Sequence, residues 1–319
     1  MQNDLFATDL FCACCIRFLC PASAVALAAV ARLSTPANMP YRPEFSGSPV
    51  KLTYEVDAID ETHHVSSISI PAERPLTVLV DGRELVTLMT LGAAPEALTL
   101  GYLRNQRLVD KVEDIVSIHV DWPANKVAVT TRGGIDDIEQ RTARRVVTTG
   151  CGQGTMFGDL MDEIDAIALP ADARLRQSVL YRIVNTIRTQ DSIYAKAGSV
   201  HGCGLFSADG DLLYFIEDVG RHNAVDSIAG MMWLDDVQGG DKVFYTTGRL
   251  TSEMVIKGAQ MGIPFLISRS GTTQTGHAVA EKTGMTLLAR CTGRHFLLVT
   301  GKQRMVYEPH LLDTSLRVA

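Results

Sequence analysis

The sequence predicts an α/β protein, with a small β-rich N-terminal unit carrying one helix and a larger domain built on a mixed, largely parallel sheet. Three observations predict it. Apolar runs bounded by turn residues fill the stretch from Glu73 to Thr148. From Leu175 onward, strand-like runs alternate with helical periods. The connections in that second part are long enough for helical crossovers, which are right-handed and set successive strands parallel. The expected divisions are 1–45 as a disordered or non-native extension, 46–150 as the small domain, and 151–319 as the larger one.

In the small domain, Leu76 to Val80 is a β-rich run, Asp81-Gly82 is a hairpin turn and Arg83 to Met89 returns as a second strand. Pro95 opens a helix through about Arg104, since proline suits a first helical turn. Ile115 to Trp122 and Lys126 to Thr131 make a second hairpin, and Arg144 to Thr148 is a short strand ending at Cys151.

In the larger domain, Leu175 to Thr189 repeats apolar residues at helical spacing, with one buried face. Leu205-Phe206 and Leu212 to Ile216 read as strands joined at Asp209-Gly210, and Ala224 to Met232 as a helix. Then follow strand Val243–Thr246, helix Ser252–Met261 closed by Gly262, strand Phe265–Ile267, helix His277–Thr283 closed by Gly284, and strand Thr286–Ala289.

Composition narrows the function. The chain has 319 residues and a formal net charge of -6. That balance excludes a general polyanion binder, whose affinity comes from surplus Lys and Arg. The seven cysteines are odd in number, and Cys12, Cys14, Cys15 and Cys20 crowd the N-terminus, which is not a secreted disulfide framework. No second pair accompanies Cys12 and Cys15, so no structural zinc pattern is present. The Ala-rich run from Cys12 to Arg32 is broken by Arg17 and preceded by Asp4 and Asp9. It falls short of the ~20 apolar residues of a membrane span and lacks the basic start of a signal peptide. Met39 is an alternative start.

In sheets of this kind ligands collect beyond the carboxyl ends of the strands. Four post-strand segments share one composition: Asp218 to Asn223, Thr247 to Ser252, Ser268 to Thr273 and Arg290 to His295 each hold glycine, arginine and a hydroxyl, amide or imidazole group. Glycine lets backbone amides approach a ligand, and arginine offers a fork matched to phosphate oxygens. Repetition in four segments points to an anionic ligand, although none is a P-loop or a dinucleotide fingerprint. His201, between Gly198 and Gly202, reads equally as structural or as facing that ligand. Cys203 and Cys291 sit beside apolar runs and read as buried, inert thiols.

Cys151 differs, because Gly150, Gly152 and Gly154 around it exclude a helix or a strand interior and predict an exposed loop. Arg144 and Arg145 upstream would favour its thiolate. The residues alone leave it either a reactive thiol or a structural one.

The segments Glu73-Arg74-Pro75-Leu76, Thr149-Gly150-Cys151-Gly152, Glu217 to Asp226 and Tyr245 to Met254 resemble the FdhD family of formate dehydrogenase accessory sulfurtransferases. The resemblance runs from about Glu73 to about Thr300. It implies a cytoplasmic protein that takes sulfur from a cysteine desulfurase as a persulfide. The sulfur would pass to a bound bis-molybdopterin guanine dinucleotide (the molybdenum cofactor) before that cofactor enters the formate dehydrogenase catalytic subunit. It also implies a cytidine-deaminase-like larger domain, a homodimer, a site that GDP-like nucleotides occupy, and neither nucleic acid nor membrane as partner. Carried over, the sulfur carrier is Cys151. The cofactor-binding residues are Arg290, Cys291, Thr292, Gly293, Arg294 and His295, with Arg221, His222, Asn223, Arg249 and Ser252 lining the same site and His201 beside it. The zinc-holding His-x-Glu and Pro-Cys-x-x-Cys residues of deaminases are absent, so no metal is expected.

Two departures stand out. Gly154 occupies the place of the second cysteine of the family's usual pair, so Cys151 would carry persulfide alone. The final segment, Cys291-Thr-Gly-Arg-His-Phe, differs from the family's Arg-x-x-Arg-Phe pattern. The competing reading is a chaperone that delivers the cofactor without sulfur transfer. A nucleotide-modifying enzyme is weaker still.

Overall fold

The computed structural model describes residues 40–47, 49–136, 138–143, 145–147, 155–157, 164 and 167–311. Residues 1–39 of the expected N-terminal extension and Cys151 lie outside the described residues; residues 40–45, expected to belong to that extension, are ordered instead, with Glu44–Phe45 paired to Ser117–Ile118.

Strand β1 (Glu44–Phe45) is followed by a hairpin of β2 (Thr53–Ile59) and β3 (Val65–Pro71) that the sequence reading did not anticipate. Its signal is the alternation of Tyr54, Val56 and Ala58 with Glu55 and Asp57. Strands β4 (Arg74–Val80) and β5 (Arg83–Thr90) form the expected hairpin. Asp81 and Gly82 both take positive φ there, 48° and 82°, as a two-residue turn with right-handed strand twist requires. Helix α1 (Pro95–Asn105) begins at its proline, and β6 (Ile115–Asp121) pairs with β7 (Lys126–Thr131). The sheet order is β1-β6-β7-β4-β5. Leu76, Val78, Ile118 and Val129 of its strands pack against Leu98 and Leu103 of α1. Helix α2 (Ile138–Ala143) follows, and β8 (Arg145–Val147) pairs antiparallel with β9 (Thr155–Phe157).

The second half opens with β10 (Leu175–Arg176), α3 (Gln177–Thr189) and a short α4 (Ile193–Ala197). Next come β11 (His201–Phe206), β12 (Leu212–Asp218), α5 (Arg221–Leu234), β13 (Val243–Thr246), α6 (Ser252–Gln260), β14 (Phe265–Ser268) and α7 (Gln274–Thr283). The last strands are β15 (Thr286–Thr292), β16 (His295–Leu298) and β17 (Met305–Val306), the last pairing with β10. Six strands form the sheet β12-β11-β13-β14-β15-β16.

That sheet is mixed, but it is not largely parallel. Only β13–β14 and β14–β15 are parallel among its five pairings. Tight turns explain two of the rest: β11 and β12 are joined through Gly210 (φ 83°), and β15 and β16 through Gly293 (φ 57°). A turn that short returns the chain antiparallel. The β11–β13 pair is antiparallel because β13, reached from β12 through α5, adds on the far side of β11. Alternate strand residues face opposite layers. Phe244, Leu266 and Leu287 meet α5, α6 and α7, whereas Tyr245, Ile267 and Leu288 meet α3.

The two sheets meet through α1 and α5. A Cβ on Gly101 would sit 1.7 Å from the Asp226 carbonyl, and one on Gly230 would sit 2.0 Å from that of Ala97. Only glycine permits this approach of the two helix backbones. Asn105 donates to Asp226 (2.7 Å) across the same contact. No described helix is long and apolar enough to cross a membrane.

Candidate functional site

Strands β13, β14 and β15 run parallel, and their carboxyl ends open into a cavity of about 370 Å³. The last residues of two strands organise the turns beyond them. Thr246 Oγ1 accepts from the amide of Gly248 (3.1 Å), and Ser268 Oγ donates to the Gly248 carbonyl (2.6 Å) while accepting from Ser270 N (2.9 Å). The turns are then stitched to one another: Leu250 N donates to Gly271 O and Arg290 N to Ser270 O. These bonds serve buried groups behind the turns, while Arg249, Arg269, Arg290 and Arg294 are exposed, Arg269 lining the cavity itself.

The cavity wall combines Thr247, Arg269, Thr292 and Gly293 with Tyr194, Phe215 and Tyr245. Tyr194 stands on α4, whose first amides are held by Glu217: Ile193 N and Tyr194 N donate to its carboxylate, at 2.5 and 3.0 Å. The Arg269 guanidinium lies 5.8 Å from the Tyr194 ring centre. Flat aromatic surface beside guanidinium and hydroxyl groups suits a ligand with both planar rings and anionic oxygens. The sequence reading missed Tyr194. Its signal was Ser192, which caps α4 by accepting from Ala195 N (3.1 Å).

Nine of the twelve sequence-predicted cofactor-binding residues fall into three groups, while Arg290, Arg294 and His295 are exposed and outside the cavity wall. Cys291, Thr292 and Gly293 reach the cavity, though in a different setting from the one expected: β15 runs on to Thr292 and turns back as β16, so the fourth segment is a bulged hairpin. Arg290 there adopts φ 53°. His201, Arg221 and Arg249 form a cationic cluster. Burial first, then the charges of Arg221 and Arg249, push the His201 imidazole below its ordinary range. His201 Nδ1 lies 3.3 Å from Thr247 Oγ1. Gly248 is needed here, because a Cβ on it would sit 2.5 Å from Arg221 Cδ.

His222, Asn223 and Ser252 form the third group, and they are buried in the first turns of α5 and α6. Asn223 donates to Met89 O (2.6 Å) and to Asp218 (2.9 Å). Asp218 also accepts from Leu91 N (3.2 Å), Gly220 N (3.1 Å) and Thr90 Oγ1, so it ties β5 to the loop before α5. His222 turns toward Glu253 and Lys257. The reason is local: α5 begins at Arg221, earlier than the apolar periodicity suggested, and a helix directs part of its first turn inward.

Both described thiols are inert. Burial pushes Cys203 and Cys291 up to about 12, against which the bond from Cys203 to Thr246 Oγ1 (3.3 Å) is a small opposing effect. A thiol that stays protonated near neutrality is a poor nucleophile. Among the described residues, no group of three or more His, Cys, Asp or Glu side chains is arranged to hold a metal ion.

Comparison with known proteins gives the family. Residues 71–306 match the model of the FdhD/NarQ family. A sulfur carrier protein FdhD from Nocardia farcinica is 30% identical over 251 residues, covering 74% of this chain and 88% of that protein. Another from Sulfurisphaera tokodaii is 27% identical over 252 residues, covering 77% and 95%. The crystal structure of a formate dehydrogenase accessory protein from Desulfotalea psychrophila is similar with a TM-score of 0.64 at 26% identity, covering 81% of this chain and all of that one. With the family model spanning most of its length, the chain belongs to the FdhD/NarQ family.

Proposed function

We propose that this protein is a cytoplasmic sulfur carrier serving formate dehydrogenase, receiving sulfur on Cys151 and passing it to bis-molybdopterin guanine dinucleotide bound at the strand-end cavity. The observation that carries the reading is the cavity itself, in which Arg269, Thr247 and Thr292 stand beside aromatic walls at the ends of parallel strands. Family membership supports the sulfur chemistry, since relatives across the same span are named sulfur carriers.

Loading is a thiol exchange. The Cys151 thiolate attacks the outer sulfur of a cysteine desulfurase persulfide; a sulfur–sulfur bond forms on Cys151, the donor's bond breaks, and the donor cysteine leaves as thiolate. No net oxidation occurs. The raised thiol ranges of Cys203 and Cys291 make both poor carriers, which supports the reading of Cys151. At the other end, Arg249, Arg269, Arg290 and Arg294 would meet phosphate oxygens, with Thr247, Thr292 and the amide of Gly293 as further donors. Arg221 and His201 would add positive charge and a donor, and the buried His222, Asn223 and Ser252 would hold the rim in place. When bound, the dinucleotide would supply the metal centre that receives the sulfur.

In this reading the β11–β16 half is a cytidine-deaminase-like domain without deaminase zinc ligands, the β1–β7 half is a separate smaller domain, and the protein is a homodimer. Gly154, in place of a second cysteine, favours one alternative: delivery of the cofactor without sulfur transfer. GDP titrated calorimetrically into wild type and Arg249→Ala tests the site. Saturable binding weakened about tenfold by the variant, the order of one lost charge-assisted contact, is the expected result. Equal affinity would sink the assignment.

A further inference from the structure

A second cavity, of about 90 Å³, lies beneath the first turn of α5, and the proposed function makes no use of it. Its walls are β5, Tyr102 of α1, His222 and Asp226 of α5, and Glu253 and Lys257 of α6. Lys257 Nζ lies 2.8 Å from Asp226 Oδ2 and 3.1 Å from Glu253 Oε1. His222 Nδ1 lies 3.2 Å from that same Glu253 oxygen, close enough to interact but turned off the angle of a good hydrogen bond. His222 Nε2 is buried and has no hydrogen-bond partner among the described residues.

Lys257 joins the two acids, and the His222 ring beside them has no good hydrogen bond at either nitrogen. Burial first, then the neighbouring charges of Lys257 and Arg221, keep His222 neutral. The β5 wall, Val86 to Met89, brings no ionisable group, and α1 brings only Tyr102. An imidazole without a good hydrogen bond at its nitrogens is expensive in a dry interior. A polar cavity of this size has room for about three water molecules, each needing two to four polar partners, whereas comparable apolar cavities stay empty.

We propose that this cavity is an internal hydration site whose waters donate to His222 Nε2 and to the Asp226 and Glu253 carboxylates. Glu253 is then a positioning residue: its carboxylate, 3.2 Å from Nδ1 but off the angle of a good hydrogen bond, favours the proton on Nδ1 by its charge and so leaves Nε2 as an acceptor facing the water. His222 so held anchors the first turn of α5, directly behind Arg221 and the Gly248 turn. The inference is independent of the sulfur-carrier reading.

The test uses the full chain with ¹⁵N-labelled histidine, the His222 signals being those lost in His222→Gln. The expected spectrum shows a neutral Nδ1–H ring that does not take up a proton at the ordinary imidazole value, with cross-relaxation to bound water; Glu253→Gln keeps that tautomer and Glu253→Leu mixes the two. Ordinary titration of His222 near its usual value, or the Nε2–H tautomer, would overturn the proposal. Crystals under xenon pressure decide hydration separately. A wet cavity excludes the gas, and xenon bound there would show that it is dry.

Discussion

The two cavities draw on similar residues and use them oppositely. At the strand ends, Arg249, Arg269, Arg290 and Arg294 are exposed, and the hydroxyls behind them serve the backbone turns. Beneath α5, Lys257, Glu253 and Asp226 are all but fully buried and committed to one another. Charge at the rim faces solvent. Charge in the interior is structural, and removing one partner leaves another stranded. The difference teaches that a charged residue's role here follows from its exposure more than from its type.

The largest effect should come from breaking the interior set. Lys257→Met leaves Asp226 and Glu253 without their cation, and urea unfolding should show a loss of about 3–5 kcal/mol. A change within about 0.5 kcal/mol, the scale of ordinary surface substitutions, would contradict the contrast. Gly101→Ala comes next. Its Cβ would press on the Asp226 carbonyl, and overpacking there should destabilise by about 1–3 kcal/mol. At the rim, Arg269→Ala should leave stability within about 0.5 kcal/mol while weakening GDP binding, the reverse of the interior pattern.

The smallest effect is one of pH. His222 is held well below 6.5 by burial and by the positive charges near it. The unfolded chain therefore takes up a proton that the folded one refuses as pH falls through 6.5, so this contribution to stability is present above that value and lost below it. Urea midpoints measured across that range should fall less steeply in His222→Gln than in wild type. An unchanged slope would mean that His222 is not the refused group.

Much of the fold was legible because hydrophobic period and turn residues are local signals. Asp81-Gly82 marked its hairpin, and Pro95 marked the start of α1. The β2–β3 hairpin was missed although Tyr54, Val56 and Ala58 alternate, and its apolar residues Tyr54, Val56, Ile68 and Ile70 are exposed. The site was legible as a place, because glycine and arginine after each strand are written in the chain. It was not legible as a set of directions. Arg221 and His222 are adjacent, yet one joins the cationic cluster and the other faces Glu253, a consequence of where α5 begins. Tyr194 lies far from the arginine-bearing segments in sequence and enters the site only because Glu217 holds α4 against it.

The central claim concerns Cys151, and one measurement meets it directly. The full-length protein is incubated with a cysteine desulfurase and cysteine, without reductant, and the peptide carrying Cys151 is examined by mass spectrometry. The account predicts one added sulfur atom on Cys151, none on Cys203 or Cys291, and no loading of a Cys151→Ala variant. An unmodified Cys151, under conditions that load a known persulfide carrier, would contradict it.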